Sequence, residues 1–195
     1  MAEPADRYGA VSVFLHWSIA LLIVTNILVA WVMESTDAFG GLPFVMHLSI
    51  GLTVLLLSFV RLGWRLANPW PPLPATMPGW EKLLARFTHV AFYVMILAIP
   101  LLGWATASAS PRSGDSLPYL GFIPWPTLPV PASEALNAQL GEVHGFGVLL
   151  TVLLLALHIA GAVRGTYYER FGILGRMIPG LRRPEASRSA KPIRR

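Results

Sequence analysis

Four stretches of this chain are long and apolar enough to cross a lipid bilayer, and no other feature restricts its fold so severely. They run from about Val11 to Met33, Leu42 to Leu66, Leu83 to Ala107 and Leu140 to Val163, the second interrupted near its end by Arg61 and Arg65. Each approaches or exceeds the roughly 20 residues that carry a helix across about 30 Å of hydrocarbon. Composition agrees: 54% of the residues are hydrophobic and only 13% charged, where a soluble domain carries about 25% charged. Inside a bilayer no water satisfies backbone groups, so such spans take the helical form. The fold class is therefore an all-α membrane protein, a bundle of four transmembrane helices forming one domain over residues 1–181. The basic stretch 182–195, rich in Arg and Ser, is expected to be a disordered tail. The first span is expected to stay on the protein, because its apolar region is too long for a cleavable signal peptide.

Charge sets the orientation. With the N-terminus in the cytoplasm, 14 of the 15 lysines and arginines fall on the inner side, and only Arg112 falls outside. The acids divide evenly, with Glu34, Asp37, Asp115, Glu134 and Glu142 outside. This is the positive-inside bias, and it puts both termini in the cytoplasm. The net charge of +5 then reflects membrane orientation and implies no nucleic-acid partner. Between the spans, residues 34–41 read as a short outer turn and the Pro-rich 67–80 as a connection at the inner surface. Residues 108–139 hold six prolines together with Tyr119, Phe122 and Trp125. Aromatics suit the membrane interface, so this segment reads as a lid on the outer surface.

All five histidines, His16, His47, His89, His144 and His158, fall inside the spans. One such histidine is readily explained as a hydrogen-bonded core residue. Five together are not, since ionisable groups in hydrocarbon are costly and mark function. His144 and His158 stand 14 residues apart, which returns within about 40° of the same helix face and separates them by about 21 Å along the axis. Two imidazoles on one stripe near opposite membrane surfaces suit two stacked haems, each needing a second ligand from another helix. By depth, His47 matches His144 near the outer surface and His16 matches His158 near the inner one. The chain has no cysteine, which excludes covalent c-type attachment, iron–sulfur clusters and thiolate zinc sites.

On the second span His47, Gly51, Val54, Ser58, Arg61 and Arg65 form one stripe. Arg61 thus shares the face of His47 at the inner level, where haem propionates need a cation; an arginine there also anchors the inner membrane surface. Gly51, Gly145, Gly147 and Gly161 leave room for a haem plane or for close helix packing. His89 lies about a turn into the third span, with Tyr93 one turn beyond. It could replace His16 as the inner ligand, serve a quinone site with Lys82 and Arg86, or form a structural hydrogen bond. Depth favours His16 as the ligand.

The ordered set Arg7-Tyr8, Leu15-His16-Trp17, His47 with Gly51, Arg61 and Arg65, Thr88-His89 with Tyr93, Pro100 and Gly103-Trp104, then Glu142-Val143-His144 and His158, resembles the prokaryotic cytochrome b561 family. A closing Arg176-Met177-Ile178-Pro179 extends the likeness over about residues 7–180. The resemblance implies a four-helix protein of the bacterial inner membrane with two b haems. It sets His16, His47, His144 and His158 at the positions of the family's haem ligands. It also implies electron transfer to ubiquinone, with superoxide as the outer donor in at least one member, or service as the cytochrome b anchor of a partner dehydrogenase or hydrogenase. A metal-ion transporter using the same histidines is disfavoured, because charged side chains occur only near the span ends. The expected function is one-electron transfer between an outer donor and the quinone pool.

Overall fold

The computed structural model describes residues 7–36, 41–68, 71–168 and 173–178. The tail 182–195, and Pro179 of the closing motif, lie outside the described residues. Four long helices appear: α1 (Ala10–Ser35), α2 (Leu42–Ala67), α3 (Gly79–Ala109) and α4 (Glu134–Val163). All four are long and apolar enough to cross a membrane. Their side chains point largely outward, as with Phe14, Leu21 and Trp31, which is how a helix meets lipid rather than a protein core.

The ends differ from the expected spans by reasons visible in the residues. Helix α4 starts at Glu134, well before Leu140, because Ser133 caps it: its Oγ accepts from the Leu136 N–H at 3.4 Å, and Glu134 adds an acid to the first turn. Helix α2 opens with a proline in its first turn, a position where the missing N–H costs no bond. Helix α3 reaches 31 residues although Pro100 lies inside it. Helix α4 continues into a π-helical turn over Arg164–Tyr168, where Arg164 pairs with Glu81 at 3.0 Å and lies over Trp80.

Packing follows chain order: α1 on α2, α2 on α3, α3 on α4. Among the described residues, α4 packs on neither α1 nor α2 to a comparable extent. The starts of α1 and α3 and the ends of α2 and α4 share one end of the bundle. Arg7, Arg61, Arg65, Lys82 and Arg164 gather there; it is called the arginine-rich end below.

The opposite end holds, among the described residues, a departure from all-helical structure. Within the segment read as a lid, strands β1 (Ser116–Tyr119) and β2 (Ile123–Pro126) pair antiparallel, Leu117 opposite Trp125 and Tyr119 opposite Ile123. The turn runs through Leu120 and Gly121, at φ 54° and 83°; glycine adopts that left-handed region without strain. The hairpin lies across the ends of α2 and α3, largely exposed, and is anchored there through Leu117. Leu117, 2% exposed, joins Leu48, Leu52 and Ala107 in a core flanked by Phe44, Trp104, Tyr119 and Trp125. Polar ties hold it: Tyr119 Oη lies 3.0 Å from Thr53 Oγ1, the Leu120 N–H donates to Ser49 Oγ at 2.8 Å, and Trp104 Nε1 donates to the Pro126 carbonyl at 2.9 Å.

Candidate functional site

Two helical hairpins, α1–α2 and α3–α4, present their histidines across the bundle. Near the hairpin end, His47 of α2 faces His144 of α4 with ring centroids 6.1 Å apart. Near the arginine-rich end, His16 of α1 faces His158 of α4 at 6.3 Å. An imidazole nitrogen binds a first-row metal at about 2 Å, so two rings trans on one ion would set their centroids about 6 Å apart. Both pairs have the reach that one iron between them demands.

The ring nitrogens of the first pair are oriented from behind. His47 Nδ1 lies 3.4 Å from the Asn26 carbonyl, and His144 Nδ1 lies 3.0 Å from the Ile99 carbonyl. A carbonyl only accepts, so each Nδ1 carries the proton and each Nε2 keeps its lone pair for a metal. The His144 ring lies against bare backbone: a Cβ added at Gly103 would come within 3.0 Å of its Cε1. Gly147, one turn on, meets the Ile99 side chain, whereas Gly145 and Gly161 meet nothing within 4 Å and Gly51 is 3.5 Å from Asn26 Nδ2. Of the four glycines read from the sequence, Gly51 and Gly147 serve helix contacts.

The arginine-rich end is more crowded. His158 meets His89 of α3 at 5.8 Å and Phe92 at 5.3 Å, as well as His16. Both His16 and His89 are thus within a ligand's distance of His158. Arg61 reaches this cluster from its place on the stripe: Nη2 lies 3.4 Å from His16 Nδ1, Nη1 donates to the Ser12 carbonyl at 3.5 Å, and the guanidinium lies 6.0 Å from the Tyr93 ring centre. Outside the spans, burial raises the Tyr8 phenol above its ordinary pKa, against the opposing pull of Arg65, Arg176 and Arg61. Lys82 turns instead to the Ala75 carbonyl at 3.1 Å, and Arg86 is exposed.

Among the described residues, no three His, Asp or Glu side chains converge as a bare-ion site; the histidines come as pairs. Buried polar atoms remain between them: Asn26 Oδ1 and Ser58 Oγ have no hydrogen-bond partner among the described residues. Asn26, the contact of Gly103 with the His144 ring and the Ser49–Thr53 tether escaped the sequence reading. A polar residue in the middle of an apolar span was the available signal for Asn26.

Membrane-crossing helices that offer imidazoles in facing pairs at two depths suit a redox protein of the bilayer. The sequence matches prokaryotic cytochrome b561 over residues 7–180, and the chain belongs to that family. It is 29% identical over 178 residues to cytochrome b561 homolog 1 of Escherichia coli (strain K12), covering 89% of this chain and 98% of that protein. With cytochrome b561 homolog 2 of the same organism it shares 27% identity over 177 residues, 89% of this chain and 92% of the relative. With the probable superoxide oxidase CybB of Yersinia pestis it shares 24% over 185 residues, 90% of this chain and 98% of the relative. Membrane electron transfer by a b-type cytochrome follows from the family. The facing imidazoles, in a chain without thiolates, fit haem b.

Proposed function

We propose that the chain passes single electrons between its two ends through two bis-histidine b haems, one held by His47 and His144 and one by His16 and His158. The observation that carries this reading is the facing of imidazoles across the bundle at two depths, 6.1 and 6.3 Å apart. Bound haem supplies one-electron chemistry, and two axial histidines leave no open position for oxygen. The residues of the chain do the rest. The Asn26 and Ile99 carbonyls hold the ring tautomers, Gly103 gives His144 its seat, and Arg61 stands where a propionate needs a cation.

The arginine-rich end faces the cytoplasm by the positive-inside rule, in a bacterial inner membrane, and delivers electrons to ubiquinone. The donor at the hairpin end is superoxide, which leaves as dioxygen after giving up one electron; the name of the Yersinia pestis relative supports this. Purified protein is expected to carry two non-covalent haems per chain, extractable by acid acetone, with low-spin six-coordinate spectra. One haem per chain, or a five-coordinate high-spin spectrum, overturns the reading.

A further inference from the structure

The two imidazole pairs sit in opposite electrical surroundings. At the hairpin end both rings give their Nδ1 proton to backbone carbonyls, Asn26 at 3.4 Å and Ile99 at 3.0 Å. An acceptor pulling on that proton makes the ring a more basic ligand and favours an oxidised metal. The charged residues described at this end are Arg112 against Glu34, Asp115, Glu134 and Glu142, so its field is negative. At the other end, no such carbonyl is seen at His16 Nδ1 among the described residues. That nitrogen faces the Arg61 guanidinium at 3.4 Å, a group without an acceptor atom. Arg61 is held there by the Ser12 carbonyl and Tyr93, and Arg65 and Arg176 stand close enough to act on the same Tyr8 phenol. The described acid of this end, Glu81, is engaged by Arg164 at 3.0 Å.

We infer that Arg61 poises the His16–His158 pair to hold an electron more tightly than the His47–His144 pair, giving the bundle a built-in direction from the hairpin end to the arginine-rich end. The inference rests on the two-haem reading above. Reduction adds one negative charge at an iron; a fixed cation beside the ligand stabilises that charge, while carboxylates and carbonyl acceptors oppose it. Passage from the first pair to the second oxidises one iron and reduces the other by one electron, with no bond made and no proton moved. A guanidinium in contact with a ligand ring lies within about 10 Å of the metal, and at an effective dielectric near 20 it shifts the electron's distribution by more than tenfold. Tenfold corresponds to about 59 mV for a one-electron couple.

The test is a potentiometric titration of single-haem variants followed by their absorption bands. His144→Ala keeps only the haem at the arginine-rich end, and His158→Ala keeps only the one at the hairpin end. The first is expected to titrate at the higher potential. Arg61→Gln should lower it by about tenfold or more in reduction equilibrium and leave the hairpin-end haem nearly unmoved, while Arg61→Lys should restore most of the difference. Equal or reversed potentials, or an Arg61→Gln shift that is absent or the same at both haems, overturn the inference. Should Arg61→Gln fail to keep its haem, Arg65→Gln in the same background is expected to shift that haem in the same direction by less, and no shift overturns the inference. A parent protein with one haem or none refutes the two-haem reading itself, and the spectrum reveals this before any titration.

Discussion

Gly103→Ala is the smallest change that should unseat one haem and spare the other. The added methyl would lie 3.0 Å from His144 Cε1, 3.3 Å from Nδ1 and 3.7 Å from Nε2. Two of these distances are tighter than ordinary contact, and together they show the ring edge resting on the Gly103 backbone. The ring cannot simply rotate, because Nδ1 is tied to the Ile99 carbonyl at 3.0 Å. It must retreat toward His47, into the space the iron would occupy. Overpacking of this kind costs about 1–3 kcal/mol, so the haem at this pair should be held roughly 5- to 150-fold more weakly. Haem transfer to an excess of an apo-haem protein, followed by the haem-to-chain ratio, measures the loss. One haem should leave the variant faster, while the second leaves at the parent rate. Equal retention of both haems in parent and variant would refute the placement of His144 against Gly103.

The histidine series separates the pairs: His47→Ala or His144→Ala should remove one haem and His16→Ala or His158→Ala the other, read from the absorption bands. His89→Ala should keep both, and loss of the arginine-end haem in His89→Ala but not in His16→Ala would make His89 the ligand. Leu117→Ala empties the centre of the hairpin core and should destabilise the protein by about 2–5 kcal/mol, seen as a lower thermal midpoint in detergent. Arg112 is the described cation of an otherwise acidic end and is exposed. If it gathers superoxide, haem reduction by a superoxide burst should slow with salt and in Arg112→Ala; a rate that climbs with salt and ignores Arg112 would point to a neutral donor or a docked redox protein.

The helices and the histidine pairing were legible for one reason: hydrocarbon sets a minimum span length, and helical rise turns sequence position into depth. That arithmetic matched His47 with His144, and the two rings face each other. It favoured His16 over His89 at the other end, yet both rings stand near His158, at 6.3 and 5.8 Å, because α1 and α3 both start at the arginine-rich end. The hairpin was hidden by Pro118, Pro124 and Pro126, since proline argues against a strand. A lone two-stranded ribbon places those prolines on edges, and Pro118 stands opposite Pro124. Gly121 was the turn signal left unread, as Ser133-Glu134 was for the start of α4. Gly103 stood in the motif set, but its role could not be read from sequence, because it depends on a ring arriving from another helix.

Each imidazole pair takes one member from the α1–α2 half of the chain and the other from α4, the helix that packs least on that half. A cofactor gripped by both members therefore acts as a rivet between the first and last thirds of the polypeptide. Its binding free energy becomes part of the folding free energy, in proportion to how far its concentration exceeds its dissociation constant. The amount of this protein in a membrane should then follow the cell's haem supply. In haem-starved cells the newly inserted helices would meet without their fastener, and quality-control proteases would set the level that remains.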